Sequence, residues 1–405
     1  MANPLNSKNI VLGVTGSIAA YKAADIASRF TQSGAYVKVI LTESAIKFIS
    51  PLTFQSVTGN KSYSDNDLWE GDTHVTHIGL GHTADLVVIA PVSANTLAKL
   101  ANGFGDNLLA LTVLASHCPI ILAPAMDGEM WSNPATQKNF DILKQRGFHF
   151  IGPESGHLAS GMIGLGRMAE PQTIYAYSRY ILSRNGNFSG KKVVITAAGT
   201  REDIDPVRFI SNKSSGKQGF ALAQASIDSG ADVILITGKT NLETPAGVKR
   251  IDVTSASEMY SEVMSESNDA DILLMAAAVA DFRPVLTSAQ KIKKDSDYSY
   301  IPLEPTEDIL LAVGERKTNT GFPRILVGFA AESQDLLVNS KKKLKSKNLD
   351  LIVANDVTSA NAGFDVDTNQ VVLISPDGTT HELTLMDKYE VAEAIIEKVS
   401  LLCEK

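Results

Sequence analysis

Residues 193–219 read VVITAAGTREDIDPVRFISNKSSGKQG, a short apolar run followed by a dense set of polar groups: Arg201, Asp205, Arg208, Asn212, Lys213 and Lys217, with Ser214, Ser215 and Gly216 between them. Cations, an amide and backbone N–H groups at the carboxyl end of a strand suit a phosphate-bearing ligand. Packing alone has no use for such a loop. The first half carries gentler versions of it. Gly16-Ser17-Ile18 follows one apolar run and Ala90-Pro91-Val92-Ser93-Ala94-Asn95-Thr96 follows another. Hydroxyls and small residues at a helix start make an anion or ribityl site, although a lone strand–glycine–helix turn is often only a tight connection. Asn102-Gly103-Phe104-Gly105-Asp106-Asn107 adds a third polar edge. His77 lies in THIGLGHTADLVV, expected just before a strand, with His74 and His82 nearby. It is a candidate for acid–base chemistry, the plain alternative being a solvated or packed imidazole. The three histidines lack the helical i, i+4 spacing of a zinc site and have no cysteine beside them, so no metal ligands are assigned.

These groups need a scaffold, and the apolar runs supply one. Strands are expected at 9–14, 36–41, 84–89, 119–122 and 148–151, with helices at 18–32, 94–102 and 136–146. Each strand is apolar on both faces, as a parallel sheet covered by helices demands. Residues 155–168, SGHLASGMIGLGRM, show neither period and are expected to form a mobile flap. A closing helix at 175–182 and a polar linker at 184–187 put the domain boundary there, giving domains 1–187 and 188–405. The second half repeats the plan with a strand at 193–196, a helix at 219–228 and a strand at 232–237. Further strands follow at 272–276, 325–328 and 351–353, then a hairpin around Pro376-Asp377-Gly378 and a helix at 386–402. The fold class is therefore α/β, with two doubly wound, Rossmann-like parallel sheets, the second extended by a β-hairpin.

At 405 residues the chain suits two domains, and 44% hydrophobic and 20% charged residues describe a globular protein. A net charge of -8 argues against a nucleic-acid partner. Two cysteines, Cys118 and Cys403, allow no disulfide framework and fit a reducing compartment. The polar start and the lack of a long apolar run argue against a membrane protein, so the cytoplasm is expected.

The motifs together carry a resemblance. GSIAAYK, the His77 segment, APVSANT, PAMDGEMW and GLGRM are similar to the flavin-containing cysteine decarboxylases, here an expected flavodoxin-like domain. DPVRFISNKSSGKQG, AAAVADFRP, KIKK, VGFAAES and KSKNLDLIVAND are similar to phosphopantothenate–cysteine ligase. In this order, over essentially the whole chain, they resemble the bifunctional bacterial family of coenzyme A biosynthesis, phosphopantothenoylcysteine decarboxylase/phosphopantothenate–cysteine ligase.

The resemblance implies that the second half acts first, activating 4′-phosphopantothenate with CTP and Mg²⁺ and coupling it to cysteine. It implies Asn212 at the reacting acyl group, Arg208 with Asn212 on phosphopantothenate, and Lys291 facing the triphosphate. Ala276, Ala277, Asp281, Glu307, Asp308, Ile309, Leu310, Phe329, Lys343 and Lys347 complete the implied CTP site. For the first half it implies FMN at Gly16, Ser17, Ile18, Thr42, Ser93, Ala94 and Asn95, His77 as base, and roles for Asp127 and Ser160 in decarboxylation and reduction. Two positions depart from the family pattern: Asp127 stands where asparagine is usual, and Ser160 where the flap usually carries cysteine. The resemblance also implies a homo-oligomer, a dodecamer when the halves are fused. Three other readings are weighed: an active ligase carrying a silent flavin-binding scaffold, a decarboxylase that stops at the enethiol, and a nicotinamide dehydrogenase. The last is disfavoured, since neither glycine turn is a full G-x-G-x-x-G and Leu41 is followed by Thr42 rather than an acid.

Overall fold

The computed structural model describes residues 3–69, 75–293, 300–332, 335–356 and 366–403. Contacts divide the chain into two compact units, Ala2–Leu182 and Ser183–Lys405.

In the first unit six strands, β1 (Asn9–Val14), β2 (Tyr36–Leu41), β3 (Ser62–Tyr63), β4 (Leu86–Val92), β5 (Ile120–Pro124) and β6 (His149–Phe150), form one parallel sheet in the order β3-β2-β1-β4-β5-β6. Setting aside the two-residue edge strand β3, the order is that of a flavodoxin-like sheet, with its switch between β1 and β4. Strand alternation builds the layers. Ile10, Leu12 and Val14 enter one core and Val11 the opposite one with Val87 and Ile89. Beyond β6 an antiparallel ribbon of β7 (Glu154–His157) and β8 (Ile163–Arg167) carries the glycine-rich segment. The expected flap is thus a paired ribbon. Gly166 is the point where it crosses the loop after β5: Met126 N–H donates to the Gly166 carbonyl at 2.9 Å, and a Cβ at 166 would come within 2.2 Å of Met126 O.

Other expectations need correction. The first helix starts as a 3₁₀ turn, Ile18–Tyr21, before the α-helix Lys22–Gln32, a common helix opening. His77 does precede a strand, and the segment that carries it is a helix, Thr76–Thr83, which leads into β4 and for which the sequence offered no element. The helix Leu108–Ala115 gave no period because LLALTVLA is apolar all round, and five of its residues are buried.

In the second unit the strands are β9 (Lys192–Ala197), β10 (Arg201–Asp203), β11 (Phe209–Ser211), β12 (Asp232–Thr237), β13 (Lys249–Asp252), β14 (Ile272–Met275), β15 (Phe282–Pro284), β16 (Leu303–Pro305), β17 (Ile325–Glu332), β18 (Leu351–Asp356), β19 (Thr368–Ile374) and β20 (Thr380–Asp387). The main sheet runs β13-β12-β9-β14-β17-β18-β19-β20, parallel as far as β18, with β19 and β20 added antiparallel. The loop after β9 is not open: β10 and β11 pair as a small hairpin, with the Arg201 guanidinium 4.6 Å over the Phe209 ring. The next helix, Lys217–Asp228, begins two residues earlier than its apolar period suggests. At Gly219 it passes so close to β9 that a Cβ would lie 2.5 Å from Ala197 Cβ. The polar stretch 184–187 is engaged rather than loose, with Arg184 bonded to the Ala231 carbonyl at 3.0 Å and to Asp232 at 2.7 Å.

Candidate functional site

In the second unit, the carboxyl ends of β14 and β17, the 212–219 loop and the start of the helix Ile309–Thr320 enclose a cavity of about 710 Å³. This is the crevice beside the β9/β14 switch, where open α/β sheets bind ligands. Its wall includes Asn212, Ala276, Ala277, Asp281, Glu307, Asp308, Ile309, Leu310, Phe329, Lys343 and Lys347. Asp308 caps its helix through the Leu311 amide at 3.0 Å and holds the Lys347 ammonium at 2.6 and 2.9 Å. Burial pushes the Asp308 carboxyl up, but Lys347 and the Leu311 amide outweigh it, leaving the group below its ordinary range. Lys343 donates to the Phe329 carbonyl at 3.2 Å. The Asn212 amide donates to the Ala278 and Val279 carbonyls at 3.2 and 3.0 Å, which orients it at the pocket wall.

Two expected ligand residues lie elsewhere. Arg208 is paired with the buried Asp205, which it holds far below the usual carboxylate range, and it also donates to the Ile292 carbonyl at 2.8 Å. Lys291 is exposed next to that contact and is not part of the cavity wall. Both side chains fasten or flank the β10–β11 hairpin here. Conversely, the wall contains Asn355, Asn369 and Lys388, to which no role was assigned from sequence. Asn355 Oδ1 is buried without a hydrogen-bond partner among the described residues, and Lys388 is only 6% exposed. A buried lysine and an orphaned amide oxygen in a sheet-edge cavity are a recognisable polar signal, but only after β18, β19 and the last helix have been brought together.

In the first unit the loops after β1, β2 and β4 meet at one sheet edge, since these strands are neighbours. Ser17, Thr42 and Ser93 each cap the helical turn that follows, accepting from Ala19, Ala45 and Thr96 amides. The Thr15 hydroxyl ties two of the loops, donating to the Pro91 carbonyl at 2.9 Å and accepting from Ser93 N–H at 2.9 Å. Gly16, Ala94 and Asn95 share this edge, and Ile18 stands 60% exposed on it. Polar caps beside an exposed apolar side chain fit a ligand with a phosphate-bearing tail and a flat apolar head. His77 Nδ1 is buried with no hydrogen-bond partner among the described residues. His74 lies outside the described residues.

The two departures from the family pattern meet each other. Ser160, in the turn of the β7–β8 ribbon, donates to Asp127 Oδ2 at 2.6 Å, while Oδ1 accepts from the Glu129 amide at 3.1 Å. The Ser160 hydroxyl, and then that amide, hold the Asp127 carboxyl below its usual range, so it is ionised near neutral pH. Cys118 precedes β5 whereas Asp127 follows it, which places the thiol at the opposite edge of the sheet. Burial also pushes that thiol up, so it is a poor substitute acid.

Residues 188–402 match the family model described as DNA/pantothenate metabolism flavoprotein C-terminal domain, and residues 2–182 match the model described as Flavoprotein. The chain is 45% identical over 404 residues to the coenzyme A biosynthesis bifunctional protein CoaBC of Bacillus subtilis, covering 99% of this chain and 98% of that one. Against the CoaBC of Vibrio cholerae it is 43% identical over 398 residues, with 98% of each covered, and against that of Mycolicibacterium smegmatis 42% over 407 residues, with 97% of each covered. The chain belongs to this family of bifunctional coenzyme A biosynthesis proteins.

Proposed function

We propose that the second unit couples 4′-phosphopantothenate to cysteine and that the first unit decarboxylates the product to 4′-phosphopantetheine. The chain is an enzyme of coenzyme A biosynthesis with ligase and decarboxylase activities; the division of labour, the residues and the nucleotide are our reading. It is carried by one observation, the gathering of Asn212, Lys343 and the Asp308–Lys347 pair in a single cavity at the sheet switch.

A carboxylate is a poor acyl donor because oxide is a poor leaving group. Transfer of CMP from CTP to the phosphopantothenate carboxylate, with loss of pyrophosphate, makes an acyl-cytidylate that the cysteine amine attacks. Lys343 and Lys347 sit where they can meet the phosphates, and Asn212 is positioned to steady charge on the reacting acyl oxygen. Lys291 and Arg208 join only if the β10–β11 hairpin region moves. Mg²⁺ would arrive with the nucleotide. No group of three acidic, histidine or cysteine side chains able to hold a metal occurs among the described residues, so phosphate and water oxygens would supply most of its shell.

For the first unit we propose FMN at Gly16, Ser17, Ile18, Thr42, Ser93, Ala94 and Asn95. When bound, it supplies a two-electron oxidation of the cysteinyl CH₂–SH and its later reversal. The oxidation matters because the resulting thiocarbonyl accepts the electrons that carbon dioxide leaves behind. His77 takes the thiol proton. We further propose a homo-oligomer, a dodecamer by resemblance, in the cytoplasm. No helix among the described residues is long and apolar enough to cross a membrane.

The test is mass spectrometry of the products from phosphopantothenate, cysteine, CTP and Mg²⁺. Phosphopantetheine is the expected end product. Accumulated phosphopantothenoylcysteine would instead mark a ligase with a silent first unit. No coupling would overturn the proposal.

A further inference from the structure

The hydrogen bond between Asp127 and Ser160 joins the two positions noted above as departing from the pattern the flavin half resembles. We propose that they work as one proton-sharing pair: Asp127 takes up a proton when the substrate carboxylate arrives, and returns it through Ser160 once carbon dioxide has left. This rests on the decarboxylase reading above.

The geometry states the problem. Both Asp127 oxygens already accept, one from Ser160 at 2.6 Å and one from the Glu129 amide at 3.1 Å. Ser160 is held in place by a ribbon that is itself bonded to the loop at Met126–Gly166. The other titratable groups on the surrounding elements are Glu129 on the short helix and Glu154, His157 and Arg167 on the ribbon; none of their side chains bonds Asp127 among the described residues. An isolated serine is too weak an acid to protonate carbon, and an isolated aspartate would repel the substrate's carboxylate. Together they resolve both difficulties. Two carboxylates brought into one site cannot both stay ionised, so the approaching substrate raises the affinity of Asp127 for a proton, which it draws from solvent.

The charge then follows the reaction. After oxidation the bond between Cα and the carboxylate breaks, its electron pair forms the carbon–carbon double bond, and sulfur takes the negative charge. Carbon dioxide leaves neutral, so the like charge that held the proton on Asp127 is gone. Ser160 gives its hydroxyl proton to Cα, the carbon–carbon π pair forming the new C–H bond while a sulfur lone pair restores the thiocarbonyl for the later reduction, and the Asp127 proton moves to the Ser160 oxygen. The pair ends as it began, with carboxylate and hydroxyl, and one solvent proton has been delivered to carbon. No oxidant or reductant beyond that of the established activity is used.

The experiment uses the full-length holoenzyme and 4′-phosphopantothenoyl-alanine, which keeps the carboxylate but has no sulfur to oxidise. Calorimetric titration in buffers of different ionisation enthalpy counts protons taken up on binding. About one proton per site is expected for wild type, falling to near zero for Asp127→Asn and for a ligand lacking the carboxylate. Binding without uptake by wild type overturns the pair, whereas absence of binding counts against the decarboxylase reading itself. Turnover gives a second arm. Ser160→Ala should lower phosphopantetheine formation by about 10²-fold and accumulate a product two mass units lighter. Asp127→Asn alone should do the same, while Asp127→Asn with Ser160→Cys should restore turnover. Full activity in either single variant would also overturn the proposal.

Discussion

Both sheets end their central strands in small residues, yet they finish their sites by different means. The second unit surrounds its sheet edge with a walled cavity whose charges are already matched, Lys347 by Asp308 and Lys343 by a carbonyl. The first unit leaves an edge of helix caps, a His77 nitrogen without a partner among the described residues and a ribbon whose turn is tied by one serine hydroxyl. Under the proposed division of labour, the contrast suits the chemistry each unit would do. Nucleotidyl transfer is governed by fixed charge around phosphates, so a prearranged ionic wall serves it. Decarboxylation on a flavin needs a proton moved twice, so it needs groups able to take up and give back a proton.

The sharpest way to break this comparison is to silence one site and watch the other. Asn212→Ala should slow phosphopantothenoylcysteine formation by roughly 10²–10³-fold, leaving decarboxylation of supplied phosphopantothenoylcysteine unchanged. His77→Asn should do the reverse, slowing decarboxylation by about 10²–10⁴-fold with the ligase rate intact. Loss of both activities in either variant would show that the sites are not separable. Next in size is Gly219→Val. Overpacking against Ala197 should destabilise the second unit by about 1–3 kcal/mol, read as a lowered calorimetric transition while the flavin absorbance of the first unit persists. Lys347→Ala removes the cation of the prearranged wall. The KM for CTP should rise about tenfold, equivalent to ~1.4 kcal/mol, with kcat changed less. An equal fall in kcat would move Lys347 from binding to the transition state.

The smallest effect is acid lability of the second unit. Asp205 and Asp308 both titrate below the ordinary aspartate value of 3.8 in the folded chain. The unfolded chain therefore binds protons first as the pH falls. Their contribution is complete above about pH 4 and fades as the pH drops towards the folded values. Urea midpoints at about pH 5 and about pH 3 check this, and Asp205→Asn should make the fall shallower; an unchanged slope would mean that the Arg208 pair contributes nothing.

How much of this was legible depended on range. Continuous apolar runs such as residues 193–196 and 232–237 declare buried parallel strands wherever they occur, and the neighbouring small residues mark the sheet edge. His77 was picked out by type and by its place before β4, but the helix around it was missed, because Gly79 and Gly81 erase the helical period of THIGLGHT. The ribbon stayed hidden for a similar reason: IGLGR alternates with glycine, and its pairing is with Glu154–His157 across a turn. Asn355, Asn369 and Lys388 gave no local signal, since two strands and a helix distant in sequence must assemble before they share a wall. Arg208 and Lys291, given their roles by resemblance, stand apart from the cavity wall: the buried Asp205 holds the first, and the second is exposed.

If the second unit binds a nucleotide as proposed, the Asp308–Lys347 pair makes that binding an exchange rather than an addition. An incoming anion must take the lysine from the aspartate, and a simple ion such as orthophosphate brings nothing to offset the carboxylate it strands. A triphosphate carrying its own divalent cation does, because the metal can face Asp308 as the phosphates take Lys347. On that reading, selectivity against small anions would reside in a contact inside the protein, and nucleotide affinity should vary less with ionic strength than the lysines in the wall alone would suggest.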